Sequence, residues 1–316
     1  MAALLSGGMT PDQQALVQVV AEAFGRLGIV TFPEVWGPRV VARAETSRGV
    51  IYAKAAGDAD VRAEVVAIGL AAEAGVRVPR VLTLAPDPRV PGGHWFAMSA
   101  VEGVEWAVEN QALAANTMPD VARSLARLHR VSPPGFGSLS PAGIGSCDSW
   151  SGWLVQTARG HLDHLFEGDH ISHGFRTMAL DAFQQRAPTI DRGSLVHGDL
   201  TRSETLVDPA DGRIVGIVDW GGAIVGDPVY EFATLQAGGP ADDPRPDMVL
   251  PTILDEYVAE TRMDRARIEQ TLPLYQAHQA LFNADWSRRE GVPWIEGLVT
   301  AAEARLRVAL GMDVQH

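Results

Sequence analysis

The sequence predicts an α+β fold in two lobes, and three observations carry that expectation. The chain has 316 residues, and chains beyond about 250–300 residues divide their hydrophobic interior. Short β-forming runs joined by turn residues recur in the first hundred residues and again around 195–219, the pattern of antiparallel hairpins. Residues 252 to 310 carry helical patterning instead. The composition, 46% hydrophobic and 21% charged, is that of an ordinary globular chain.

In chain order, Thr10-Pro11 is a cap followed by a proline in the first turn, which opens a helix over 10–27. Trp36-Gly37-Pro38-Arg39 interrupts two extended runs. Val40 to Glu45 then pairs with Gly49 to Ala53 through Thr46-Ser47-Arg48, and Lys54 closes the second strand. From Asp60 to Ala74, Val61, Val65, Ile68 and Ala72 follow helical spacing, Glu64 flanks that face, and Gly75 stops the helix. Val76-Arg77-Val78-Pro79 leads to another strand, and His94 to Val101 makes a further one. Thr117, Pro119 and Asp120 read as a helix start with Thr117 as cap, and Val121, Leu125 and Leu128 mark its buried face before His129. Trp150 starts a later helix. Tyr257, Tyr275, Trp286 and Trp294 read as core aromatics.

Composition narrows the function classes. The net charge is −13, and such a chain lacks the cations that neutralise nucleic-acid phosphates. Acidity suits solubility, and it also suits a cationic small substrate. Cys147 is the only cysteine, so no intrachain disulfide forms and a cytoplasmic setting is expected. Ala2-Ala3-Leu4-Leu5 is too short an apolar run for a signal-peptide core, and no run approaches membrane-spanning length. Neither a nucleic-acid nor a membrane partner is expected, and the chain is expected as a monomer or weak homodimer.

The stretch from Leu195 to Asp227 carries the chemistry. His197-Gly198-Asp199 follows an apolar run, Glu204 comes five residues after Asp199, and Leu206-Val207 begin a hairpin. The turn Pro209-Ala210-Asp211-Gly212 leads to Ile214–Val218, which delivers Asp219. Two carboxylates thus end neighbouring short strands, an arrangement suited to phosphoryl transfer, where one orients the acceptor hydroxyl and the other holds a metal on the phosphates. Asp227-Pro228 reads as a helix cap.

These motifs resemble those of the aminoglycoside phosphotransferases, small-molecule kinases with a protein-kinase-like fold. His197-Gly198-Asp199, Val218-Asp219-Trp220 and Gly226-Asp227-Pro228 stand in the family's order and spacing. Gly135-Phe136-Gly137, Pro141 to Gly145 and Trp150 are similar to members that phosphorylate hygromycin B. The resemblance implies a nucleotide-binding lobe over 1–102 with antiparallel strands and one helix, and a mainly helical catalytic and substrate-binding lobe over 103–316. It implies Asp199 as catalytic base and ATP as donor, with GTP as the alternative. Mg²⁺ would sit on Asp219 and on Glu204, which stands where the family has asparagine. Lys54 paired with Glu64 would grip the phosphates, and Ser99 and Val101 would form the adenine-binding hinge.

Glu204 leaves three readings open: it joins the metal, it turns outward, or transfer has been lost and binding kept. The implied acceptor is a hydroxyl of an aminocyclitol antibiotic such as hygromycin B. A macrolide, a choline-like alcohol or a metabolite is the alternative, as is a nucleotide-binding pseudokinase. Asp285, Trp286 and Glu290 either face the cleft and bind ammonium groups alongside Asp199, or form a solvated helical surface.

Overall fold

Thr10 and Gln13 open the first helix with a reciprocal capping box: each side chain accepts from the other's backbone N–H. The computed structural model describes residues 8–35, 37–106, 111–201, 203–237 and 246–312; Trp36, Arg202 and the apolar run at 2–5 lie outside them. Helix α1 (Pro11–Phe24) is followed by β1 (Val30–Thr31), β2 (Val40–Thr46) and β3 (Gly49–Gly57). Then come α2 (Asp58–Glu73), β4 (Val81–Pro86) and β5 (Gly93–Ser99). The strands form an antiparallel sheet in the order β1-β2-β3-β5-β4.

Alternation along the strands sorts this sheet into two faces. Ala42, Ala44, Ile51, Ala53, Ala55, Trp95 and Ala97 pack with Leu16, Val19 and Val20 of α1. The other face carries Val41, Lys54 and Phe96 in one row, since Val41 pairs with Lys54 and Lys54 with Phe96. Strand β3 runs three residues past Lys54, so the lysine lies within the strand and not at its end as expected. Helix α2 covers this face, burying Val61, Glu64, Ala67, Ile68 and Ala71 while Ala72 is exposed. Glu64 is therefore on the buried face, not its flank.

Two residues of β6 (Val104–Glu105) carry the chain out of the first sheet and pair with the hairpin of β10 (Thr205–Val207) and β11 (Ile214–Ile217). Helix α3 (Gln111–Leu128) is already running at Gln111, which corrects the expected start at Thr117. The cap-like side chains serve tertiary bonds instead. The Thr117 hydroxyl donates to the Gly212 carbonyl at 2.6 Å, and the Asp120 carboxylate accepts from the Ile214 N–H at 3.0 Å. Both bonds tie α3 to the turn of the β10–β11 hairpin.

The rest of this lobe contains β7 (Phe136–Leu139), β8 (Gly145–Cys147), α4 (Trp150–Glu167) and α5 (His173–Arg186). Strands β9 (Ser194–Val196) and β12 (Ile224–Gly226) complete a second sheet, β8-β7-β12-β9. Helices α6 (Glu231–Ala237), α7 (Pro246–Thr261), α8 (Arg265–Glu290) and α9 (Ile295–Ala309) follow. At its centre Trp150 stacks on Trp153, 4.9 Å between ring centroids, and its Nε1 donates to the Tyr275 hydroxyl at 2.7 Å. Gly226 keeps that space open, because a methyl there would strike the Trp150 ring. Tyr257 and Tyr275 are core residues as expected, but Trp294 is 57% exposed and lies over Trp286 at 6.1 Å. No helix among the described residues is long and apolar enough to cross a membrane.

Candidate active site

Strand β3 and helix α2 bring Lys54 and Glu64 together, and the second lobe supplies the third charge. Lys54 Nζ lies 2.6 Å from Glu64 and 3.0 Å from Asp219. The lysine and glutamate are buried, with side-chain exposures of 8% and 2%, whereas Asp219 is 47% exposed toward the cleft. Burial works against the Lys54 charge, but the two carboxylates outweigh it and hold its pKa above the ordinary value. Burial would likewise raise the Asp219 carboxyl; the Lys54 charge and hydrogen bond prevail and hold it below its usual range. Asp219 is thus ionised and keeps one oxygen beyond the lysine bond.

Asp219 stands in left-handed backbone, φ +57°, a conformation that aspartate tolerates better than most residues. It follows β11 directly and turns into a short 3₁₀ turn, Trp220–Gly222. His197 Nε2 pairs with the Val218 carbonyl at 2.9 Å, and its ring packs edge-on against Trp220 at 4.6 Å. His197 therefore fastens the catalytic loop to the Asp219 loop. Glycines permit the closeness: a methyl at Gly198 (φ +78°) would collide with the Gly222 carbonyl, and one at Gly222 would lie 3.1 Å from Asp199 Cβ.

Asp199 is exposed and is not among the residues lining the cavity that Lys54 and Asp219 share, yet protein packs around its carboxyl. Its carboxyl is pushed up to about 6, first by that burial and further by the charges of Glu204 and Asp219, with His197 pulling the other way. Beneath the loop, buried Glu231 accepts from the His197 N–H at 2.7 Å and the Gly198 N–H at 3.2 Å. Burial would raise this carboxyl too, but the histidines His129 and His197 keep it below its usual range.

A cleft of about 320 Å³ lies between the lobes, lined by Arg39, Val41, Tyr52, Lys54, Glu64, Met98, Ser99 and Val101 from one side. Glu204, Leu206, Val218 and Asp219 close the other. The expected nucleotide residues thus share one cavity. Its apolar walls suit a flat base, and among the described residues no hydrogen bond uses the Val101 backbone. A wider depression of about 580 Å³ beside α5 contains neither Lys54 nor the two aspartates.

Glu204 faces this cleft while bonding to its own loop. One oxygen accepts from the Thr201 N–H at 3.0 Å and from the Thr201 hydroxyl; the other accepts from the Ser203 hydroxyl at 2.7 Å. Carboxylate oxygens have capacity left for a metal. Among the described residues no group of three or more histidine, cysteine or acidic side chains could hold an ion. Magnesium fits such a sparse set, because it is held by one or two carboxylates and completes its shell with waters and phosphate oxygens.

The residues expected on the acceptor side are placed elsewhere. The Asp285 carboxylate is 3% exposed and is taken up by His161 and His164, each at 3.1 Å, by Arg288 at 3.1 Å and by Arg289 at 3.9 Å. Burial opposes the Asp285 charge, but these partners drive its pKa far down. It holds α4 to α8 and has no free face for an ammonium group. Trp286 lies against Trp294, and neither Trp286 nor Glu290 lines the cleft. Asp227 is a buried cap, as its Asp-Pro sequence implied, accepting from the Val229 N–H and the Tyr275 hydroxyl and pairing with Arg267 at 2.6 Å. The sequence reading passed over Glu231 and Arg39. For Glu231 a signal existed, an acidic residue four positions beyond Asp227 on the same buried helical face; for Arg39 there was only a cation beside a turn.

A cation bridging two acidic side chains across a cleft, with a third carboxylate on an adjoining loop, defines a kinase-type phosphotransferase. A family model described as the phosphotransferase enzyme family, APH, matches residues 28–268. The chain belongs to that family. It is similar to hygromycin-B 4-O-kinase of Escherichia coli, 32% identical over 106 residues; the match covers 32% of this chain and 30% of that enzyme, under a third of the relative's length. Its fold is that of a thermostable mutant of aminoglycoside phosphotransferase APH(4)-Ia, with a TM-score of 0.73 at 18% identity over 93% of this chain and 99% of that one. The same enzyme in ternary complex with AMP-PNP and hygromycin B gives 0.72 at 16% identity, again over 93% and 99%.

Proposed function

We propose that this chain is an ATP-dependent O-phosphotransferase acting on a hydroxyl of a small cationic acceptor, an aminoglycoside or aminocyclitol such as hygromycin B. The observation that carries the reading is the Lys54 bridge to Glu64 and Asp219 in the same cleft as Ser99, Val101 and Glu204. Lys54 grips the donor phosphates. Asp219, joined by Glu204, holds magnesium, which when bound screens phosphate charge and lets an anion be attacked. Asp199 accepts the hydrogen bond of the acceptor hydroxyl and takes its proton as the new P–O bond forms and the bond from the γ-phosphorus to the bridging oxygen breaks, ADP leaving with that oxygen. His197 and Glu231 hold that loop in place. Residues 1–102 form the nucleotide lobe and 103–316 the acceptor lobe in this reading.

The direct test is phosphate transfer from ATP and GTP to a panel of aminocyclitols, with the product mass read for one added phosphate. Hygromycin B is expected to be phosphorylated, and Asp199→Ala to lower turnover by about 10²–10⁴. ADP formation that needs a macrolide, a choline-like alcohol or a metabolite would move the acceptor and leave the reaction class standing. Nucleotide binding without product from any acceptor would leave a binding module, with Glu204 as the altered position.

A further inference from the structure

Phosphates in kinase clefts are commonly cradled by backbone N–H groups of a glycine-rich loop. Among the described residues of the corresponding turn here, 33–35 and 37–39, few donors are free for that. Pro33 and Pro38 have no N–H to give, Gly37 is its single glycine, and the Arg39 N–H is already spent on the Gly37 carbonyl at 2.9 Å. The negative charge of a nucleotide must then meet side chains. Among the described residues lining the cleft, Arg39 and Lys54 are the cationic ones, against Glu34, Glu64, Glu204 and Asp219. Lys54 is committed to two carboxylates.

Arg39 is placed to supply what is missing. It immediately precedes β2, and strand alternation puts it on the face of Val41, the residue directly opposite Lys54. Its side chain is exposed to the cleft and, among the described residues, makes no hydrogen bond or ion pair. Its charge is nonetheless felt at Lys54, Glu64, Asp199 and Asp219, the groups around which transfer would occur.

We propose that the Arg39 guanidinium is a phosphate-binding residue, gripping the terminal phosphates of the donor nucleotide in place of a glycine-rich loop. The proposal rests on the kinase reading above. A planar fork of donors suits two phosphate oxygens at once, and a lysine ammonium would match it only as a point charge. Arg39 would therefore discriminate by phosphate number: little effect on adenosine, more on ADP, most on ATP.

The test is a binding ladder measured calorimetrically with adenosine, ADP and ATP in magnesium, on the full chain and on Arg39→Ala, Arg39→Lys and Lys54→Ala. Arg39→Ala is expected to weaken ATP roughly tenfold to a hundredfold while moving adenosine less than about twofold, and Arg39→Lys to recover part of the loss. Circular dichroism of this surface variant is expected to be unchanged. An equal loss for adenosine and ATP, or unaltered ATP affinity in Arg39→Ala while Lys54→Ala loses it, overturns the Arg39 assignment and spares the kinase reading. No ATP binding by the unmodified chain overturns both.

Discussion

Asp199 must be a carboxylate to take a proton from an alcohol, and the cleft lifts its pKa to about 6. Turnover is therefore expected to fall about tenfold per pH unit as pH drops below 6, and to be level above about 7. A pH profile of kcat/KM that stays flat down to pH 5 would sink this assignment. The same shift has a stability side. A carboxyl whose folded pKa is raised favours the fold below its unfolded value, and that advantage is lost as pH rises through 6. Asp199→Asn removes the neutral-pH penalty, so it is expected to abolish transfer and raise Tm by about 1–3 °C at pH 7.5. Lys54 behaves oppositely. Lys54→Met strands Glu64 in the interior and is expected to cost about 3–5 kcal/mol in denaturant unfolding; adding Glu64→Leu should restore most of the stability and none of the nucleotide binding. Equal instability of single and double variants would refute this account. Asp199, Lys54 and Asp219 were legible because each stands in a short run of local sequence. The place of Arg39 in the cleft was not, because it depends on which face of a strand meets a wall built by residues over a hundred positions away.

Elements were legible where local chemistry decided them. The Ser47-Arg48 turn, the Thr10 and Asp227 caps and the β10–β11 hairpin form as their residues dictate. Helix α3 escaped because Thr117 and Asp120 reach Gly212 and Ile214, nearly a hundred residues onward, from inside the helix rather than at its start. Asp285 escaped similarly, since two histidines of α4 and two arginines of α8 converge on it. At this scale Glu231 is the informative variant, because α6 presents it to the catalytic loop from below. Glu231→Gln turns one acceptor into an N–H₂ facing loop donors. It is expected to lower kcat by tenfold or more while the KM for nucleotide stays within about twofold. A parallel rise in KM would mark a general loss of structure instead.

Across the whole molecule, the cleft draws one wall from each lobe, so a ligand there joins the two. ATP with magnesium at a hundred times its Kd is expected to add about 2.7 kcal/mol of stability, a rise of roughly 4 °C in Tm for a chain this long. Asp199→Asn should keep that rise, which separates holding the donor from using it. No shift in either protein would argue against a nucleotide site. The two-lobe α+β architecture could be read from length and patterning, because strand and helix periods differ. The contacts of Asp285 could not, since they are made by side chains from two helices more than a hundred residues apart.

Strand β6 leaves the first sheet and is stitched directly onto the hairpin that leads to Asp219. The door is thus hung on the post that carries the lock. Any swing of the first sheet pivots beside that hairpin, leaving Asp199 and Asp219 on one side while Lys54, Glu64 and Arg39 travel together on the other. One length, Lys54 to Asp219, is accordingly the natural ruler for how far this enzyme has shut.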